Sequence, residues 1–159
     1  MAGSGTTTGL QEVLQQLEKI EGAAEAVAAR SLYMGAGVMA DAYASAVNSI
    51  ETEPFRYAPP GSYRKPSPEE KAALAGKIGI AKFDKNGSEV GTSIGLQNAG
   101  YTQLAGKTKA VAQIANAIDS GTSFMHKQPV FRRARSKAKA AAEGAIAAEA
   151  EKILNELTK

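Results

Sequence analysis

Proline sets the frame of this chain by where it is absent. Of six prolines, four stand at 54, 59, 60 and 66, one follows at 68, and the last is Pro129. A locked φ and a missing N–H bar proline from helix interiors and central strands. The stretches on either side are therefore open to long helices. From Leu10, apolar residues recur at Val13, Leu14, Leu17 and Ile20, a helical spacing. Gly22 is a candidate break or bend, and the small-residue run "AAEAVAARSLYMGAGVMADAYASAVNSI" continues as a second helical run to about Ile50. Pro129 opens the longest predicted helix, a rod about 40 Å long at roughly 1.5 Å per residue. Its expected apolar face is Phe131, Ala134, Ala138, Ala141 and Ala145, continued by Ile146, Ala150, Ile153 and Leu157.

Between these runs, residues 52–67, "TEPFRYAPPGSYRKPS", form an extended loop that carries Phe55, Arg56, Tyr57, Tyr63 and Arg64. It is either a surface loop or an interaction arm, and its aromatic residues favour the arm. "SPEEKAALAG" predicts a short helix: Ser67 as N-cap, Pro68 in first position, Glu70 closing a capping box and Gly76 as the stop. "KIGIAKFDKNGSEVGTSIGL" predicts a hairpin turning at Asn86-Gly87, flanked by Ile78, Ile80, Phe83, Val90 and Ile94. A further helix is expected over 108–119, ended by Gly121, with 122–128 extended. The fold class is α+β: N-terminal helices and a long C-terminal helix packed on a small, mainly antiparallel sheet. Residues 1–9 read as a flexible tail and 10–159 as one domain.

Alanine supplies much of the apolar content, and only nine of the 159 residues are aromatic. A core of this kind buries little area per residue, so marginal monomer stability and oligomerisation are expected. The absence of cysteine removes disulfides, thiolate metal sites and thiol nucleophiles. The start of the chain shows no basic region followed by an apolar one, and no window is apolar enough to span a membrane.

Catalytic motifs fail one by one. "AGKT" at 105–108 lacks the glycine and leading strand of a phosphate-binding loop. "GAGVMA" at 35–40 lies inside a helical run rather than after a strand. His126, the single histidine, has no carboxylate nearby in sequence, and Glu69-Glu70 is better explained by capping than by acid–base work. The expectation is a protein that is not an enzyme and holds no cofactor or metal.

Charge is the remaining signal. The net charge is +3, yet residues 107–139 alone hold eight bases and one acid. Lys127, Arg132, Arg133, Arg135, Lys137 and Lys139 gather at the start of the long helix, where the helix dipole prefers acids. The cluster is a solvated face, a binder of phosphate backbone, or a partner for acidic residues on a neighbouring subunit. No motif for reading base sequence accompanies it.

"VAQIANAIDSGTSFMHKQPVFRRARSKAKAAAEGAI", residues 111–146, resembles the C-terminal signature of neck and tail-completion (head–tail joining) proteins of long-tailed bacteriophages. Gly121, Thr122 and Ser123 match the family's turn; Gln128, Pro129 and Phe131 match the step that opens its long alanine-rich helix. The middle departs from the family, with "EPFRYAPPGSYRKPSPEE" where many members carry a Pro-x-x-Thr-Gly-x-Leu segment. The resemblance implies a structural virion protein, a homo-oligomeric ring (a hexamer favoured) that joins tail to head around the DNA conduit. It implies neighbouring neck and tail proteins as partners and non-specific contact with genomic DNA. The location it implies is the head–tail junction of the virion, reached from the host cytoplasm during assembly. On that reading the basic cluster faces the DNA channel or a subunit interface. The alternative is a free nucleic-acid-binding protein, nucleoid-like or a packaging accessory.

Overall fold

The computed structural model describes residues 7–87 and 89–158. Helix α1 spans Thr7–Asn48, α2 Pro68–Leu74, α3 Val111–Ser120 and α4 Val130–Leu157. Six short strands lie between α2 and α3: β1 Ile78–Ile80, β2 Asp84–Asn86, β3 Glu89–Gly91, β4 Ile94–Leu96, β5 Tyr101–Leu104 and β6 Lys107–Ala110. The class is α+β, as expected, with small antiparallel sheets. Those strands form three two-stranded ribbons in place of one small sheet.

Two N-terminal expectations change. Residues 1–6 of the expected tail lie outside the described residues, but Thr7–Gly9 belong to α1. Gly22 neither breaks nor ends α1, which runs through it as one 42-residue helix. Helix interiors tolerate a lone glycine at a cost of about 1 kcal/mol, which the surrounding alanines and leucines outweigh.

β1 pairs with β4 (Ile78 opposite Leu96), and β2 with β3 (Asn86 opposite Glu89). Between the two pairings, residues 81–83 face only 92–93, and the extra residue makes a bulge held by Ala81 N–H donating to Ser93 at 2.8 Å. The hairpin is where the sequence put it, but its turn sits one residue later. Positive φ falls on Gly87 (63°) and not on Asn86, which ends β2 as a paired residue. The β5–β6 hairpin was not expected. Its two-residue turn is Ala105-Gly106, both at positive φ (48° and 74°), the pattern of a type I′ turn. The "AGKT" run is thus hairpin geometry.

The core lies at the C-terminal end of α1. Val47, Ile50, Leu74, Leu104, Val111, Ile114, Ala115, Ile118 and Met125 are buried together, with Val130 and Phe131 against them. From there α1 and α4 run antiparallel as a rod: Tyr43 meets Phe131 edge-on, Gly35 abuts Ala142 and Ile146, and Arg30 pairs with Glu149 at 2.7 Å. α4 buries one i, i+4 row through Ala134, Ala138, Ala142, Ile146 and Ala150, the first and last two only partly. Ala141, expected on this face, is exposed; the buried alanine is Ala142. Among the described residues no helix is long and apolar enough to cross a membrane.

Candidate functional site

The segment 50–67 is folded against the molecule by its own charges. Arg64, expected in an exposed interaction loop, is only 3% exposed, and this corrects that expectation. Its guanidinium donates to both carboxylate oxygens of Glu70, at 2.6 and 2.7 Å, a two-pronged contact that suits the planar fork. Phe55 and Phe124 lie 5.0 and 5.9 Å from it. Its backbone joins Phe124 and His126 through two hydrogen bonds, the short parallel bridge Arg64–Met125. Glu70 also completes the expected capping box with Ser67. Burial alone would raise the Glu70 carboxyl. The hydrogen bonds from Arg64 and the Ser67 N–H, with the charges of Arg64 and Lys109, outweigh it and hold the group below the usual carboxylate range.

The rest of that loop is tethered as well. Arg56 donates to Glu53 (3.1 Å) and to the Tyr63 carbonyl (2.9 Å), and Phe55 packs edge-on with Tyr57. Only Tyr57 and Tyr63 present large exposed apolar surface, at 76% and 58%.

The resemblance-bearing residues build the entry to α4. Gly121 takes φ 77°, and a Cβ there would come within 3.0 Å of Lys127. Thr122 accepts backbone N–H bonds from Phe124 and Met125, closing a tight turn, while Ser123 stays exposed on it. The Gln128 amide clamps Glu51: it accepts from the Glu51 N–H and donates to the Glu51 carbonyl, both at 2.9 Å. Pro129 stands at the N-cap position, one residue before the first turn, and cannot cap with a side chain. Asp119, at the end of α3, supplies the cap instead, accepting from the N–H groups of Phe131 (3.0 Å) and Arg132 (3.4 Å). It is the one acid of segment 107–139, and its carboxylate meets the positive end of α4.

The basic cluster divides by helix face. Arg133 and Lys137, one turn apart, border a groove of about 790 Å³ between α4 and the C-terminal part of α1. Lys65 and Lys127 border it too, with Glu51 as its carboxylate; Ala42, Ala46, Ala134 and Ala138 contribute its apolar surface. Lys65 and Glu51 pair at 2.5 Å; their hydrogen bond raises the lysine pKa and lowers that of the carboxyl. Arg132, Arg135 and Lys139, spaced i, i+3, i+7, share the outward stripe. Lys139 reaches Glu143 at 3.8 Å. Among the described residues Lys127, Arg132, Arg133, Arg135 and Lys137 have no acidic side chain within ion-pair distance. Sequence reasoning missed Lys65 as a member of the groove because it sits sixty residues away in the chain; its signal was only its place among other cations of the loop.

His126 lies 6.5 Å from the Tyr63 ring, and no three His, Asp or Glu side chains come together as a metal site among the described residues. Compared with protein-family models, curated proteins and solved structures, the chain has no significant match to any of them. The site's own geometry therefore carries the functional argument.

Proposed function

We propose that this chain is a structural virion protein of a tailed bacteriophage, a ring-forming neck or tail-completion subunit rather than an enzyme. It joins tail to head around the DNA conduit, within the virion, after assembly in the host cytoplasm. The main support is that, of the five cations at the start of α4, only Lys139 has an acidic side chain within ion-pair distance among the described residues, and the five sit on two separate faces of that helix. A solvated face needs no such division, whereas a ring subunit has two things to meet, a neighbour and the conduit. The outward stripe Arg132, Arg135 and Lys139 suits the conduit, where modest phosphate contacts repeat by symmetry. The turn and step built by Gly121, Thr122, Gln128 and Pro129 add to the support, since they are the residues in which the chain resembles that family.

Electron microscopy of the purified chain at high concentration tests this directly, with rings, six-fold favoured, as the expected result. Replacing Arg132, Arg135 and Lys139 with alanine should leave the fold and the rings intact and weaken their retention of duplex DNA. A chain that stays monomeric and binds duplex DNA tightly, with a steep loss in salt, would instead be a free nucleic-acid-binding protein.

A further inference from the structure

The rod is uneven at its two ends. Arg30 faces Glu149 and Gly35 faces Ile146, so the last turn of α4, at Leu157, falls opposite about Gly22 of α1. Ile20 still lines a hollow with Leu154 of α4, so residues 7–19 of α1 project past α4 by about 20 Å at roughly 1.5 Å per residue, with Glu21 at the base of the overhang. Leu14 on this overhang is 51% exposed. By helical spacing Leu10, Val13 and Leu17 belong to the same face of the sequence. Between residues 10 and 21 stand Glu12, Glu18 and Glu21 against one lysine, and Glu18 and Glu21 are exposed beside the apolar row.

The groove at the other end has the complementary composition: four cations around a surface of alanines, Pro129 and Val130. We propose that the overhang of α1 in one copy docks into the basic groove of the next, with Glu18 and Glu21 meeting Lys127, Arg133 and Lys137 and the Leu14 face covering the alanines. A chain cannot fill its own groove, because the two features stand at opposite ends of a continuous 42-residue helix, about 60 Å in length at roughly 1.5 Å per residue. The contact is accordingly head-to-tail, the type that closes into a ring when its rotation permits. This deepens the ring-forming reading and rests on it for the closure of the contacts.

Charge reversal at each side gives a two-way test in the full chain. One variant carries Arg133→Glu with Lys137→Glu, the other Glu18→Lys with Glu21→Lys; all four positions are exposed, and circular dichroism checks that each variant is folded. In sedimentation, wild type should associate, and each variant alone should associate roughly tenfold or more weakly. An equimolar mixture should recover assembly, because every overhang then finds a groove of opposite sign. If wild type associates and either folded variant does so equally well, or if the mixture of folded variants stays dissociated, the docking is overturned while the ring-forming reading stands on another surface. Wild type that remains monomeric at every concentration overturns both.

Discussion

The two halves of α1 are held by opposite means. Its C-terminal end is embedded in large side chains (Val47, Ile50, Leu74, Ile118) and tied by polar groups from three other segments. Lys71 donates to the carbonyls of Asn48 and Ile50, occupying acceptors that the helix end leaves over. Gln128 clamps the next residue, and the Arg64–Glu70 pair locks the loop beyond. Farther along, the α1–α4 rod is held by side chains that are missing or small: Gly35, Ala36, Ala138 and Ala142. Closeness replaces volume there, and contact of that kind fails through added atoms, while the head fails through removed ones.

Arg64→Ala should break that comparison most sharply. It strands a buried carboxylate, a change that costs about 3–5 kcal/mol, measurable by denaturant unfolding; Arg64→Met with Glu70→Met should regain most of the loss. The same pair makes the head acid-sensitive. Glu70 is depressed in the fold, so the unfolded chain takes up its proton first. Its contribution is complete above the ordinary glutamate value of about 4.3 and is lost as pH falls below it toward the lower folded value. Stability that rises on acidification through this range would contradict the assignment.

In the rod, Gly35→Val should cost about 1–3 kcal/mol, because a Cβ alone would stand 2.5 Å from Ile146 Cγ1 and 3.0 Å from the Ala142 carbonyl. A lowered melting temperature is the expected readout, and an unchanged one would mean the helices are less close than described. Ser31 offers the opposite sign. Its hydroxyl is buried with no hydrogen-bond partner among the described residues, so Ser31→Ala should stabilise by about 1 kcal/mol. The smallest effect is expected at Arg30→Ala, whose partner Glu149 is reached by a largely exposed guanidinium; a loss under about 1 kcal/mol is the expected result.

What the sequence reveals here follows the range of the interaction. The Ser67–Glu70 capping box, the helix that starts after Pro129 and the hairpin around Gly87 were legible because each is specified within a few residues. Arg64 was not: an arginine in a proline-rich stretch reads as exposed, and its partner already had a local role as a cap. Asp119 was likewise hidden, since it caps a helix that begins beyond an intervening turn. The turn at Ala105-Gly106 lacks the asparagine or aspartate that normally signals positive φ. On α4, Ala141 and Ala142 cannot be told apart by composition, and the partner helix alone selects the i, i+4 row. The six cations were visible as a group, but their division into three at the groove (Lys127, Arg133, Lys137) and three on an outward stripe needed α1 in place.

The antiparallel rod also fixes an order of events during synthesis. Arg30 and Glu149 meet across most of the chain, whereas the head assembles from contacts made between α1's end and the start of α4. Contacts of long sequence separation form last, because the loop between them must first be closed. α1 therefore emerges from the ribosome well before its partner exists. The stretch of its inner face around Gly35 and Ala36 offers other nascent chains little apolar surface to grip during that interval.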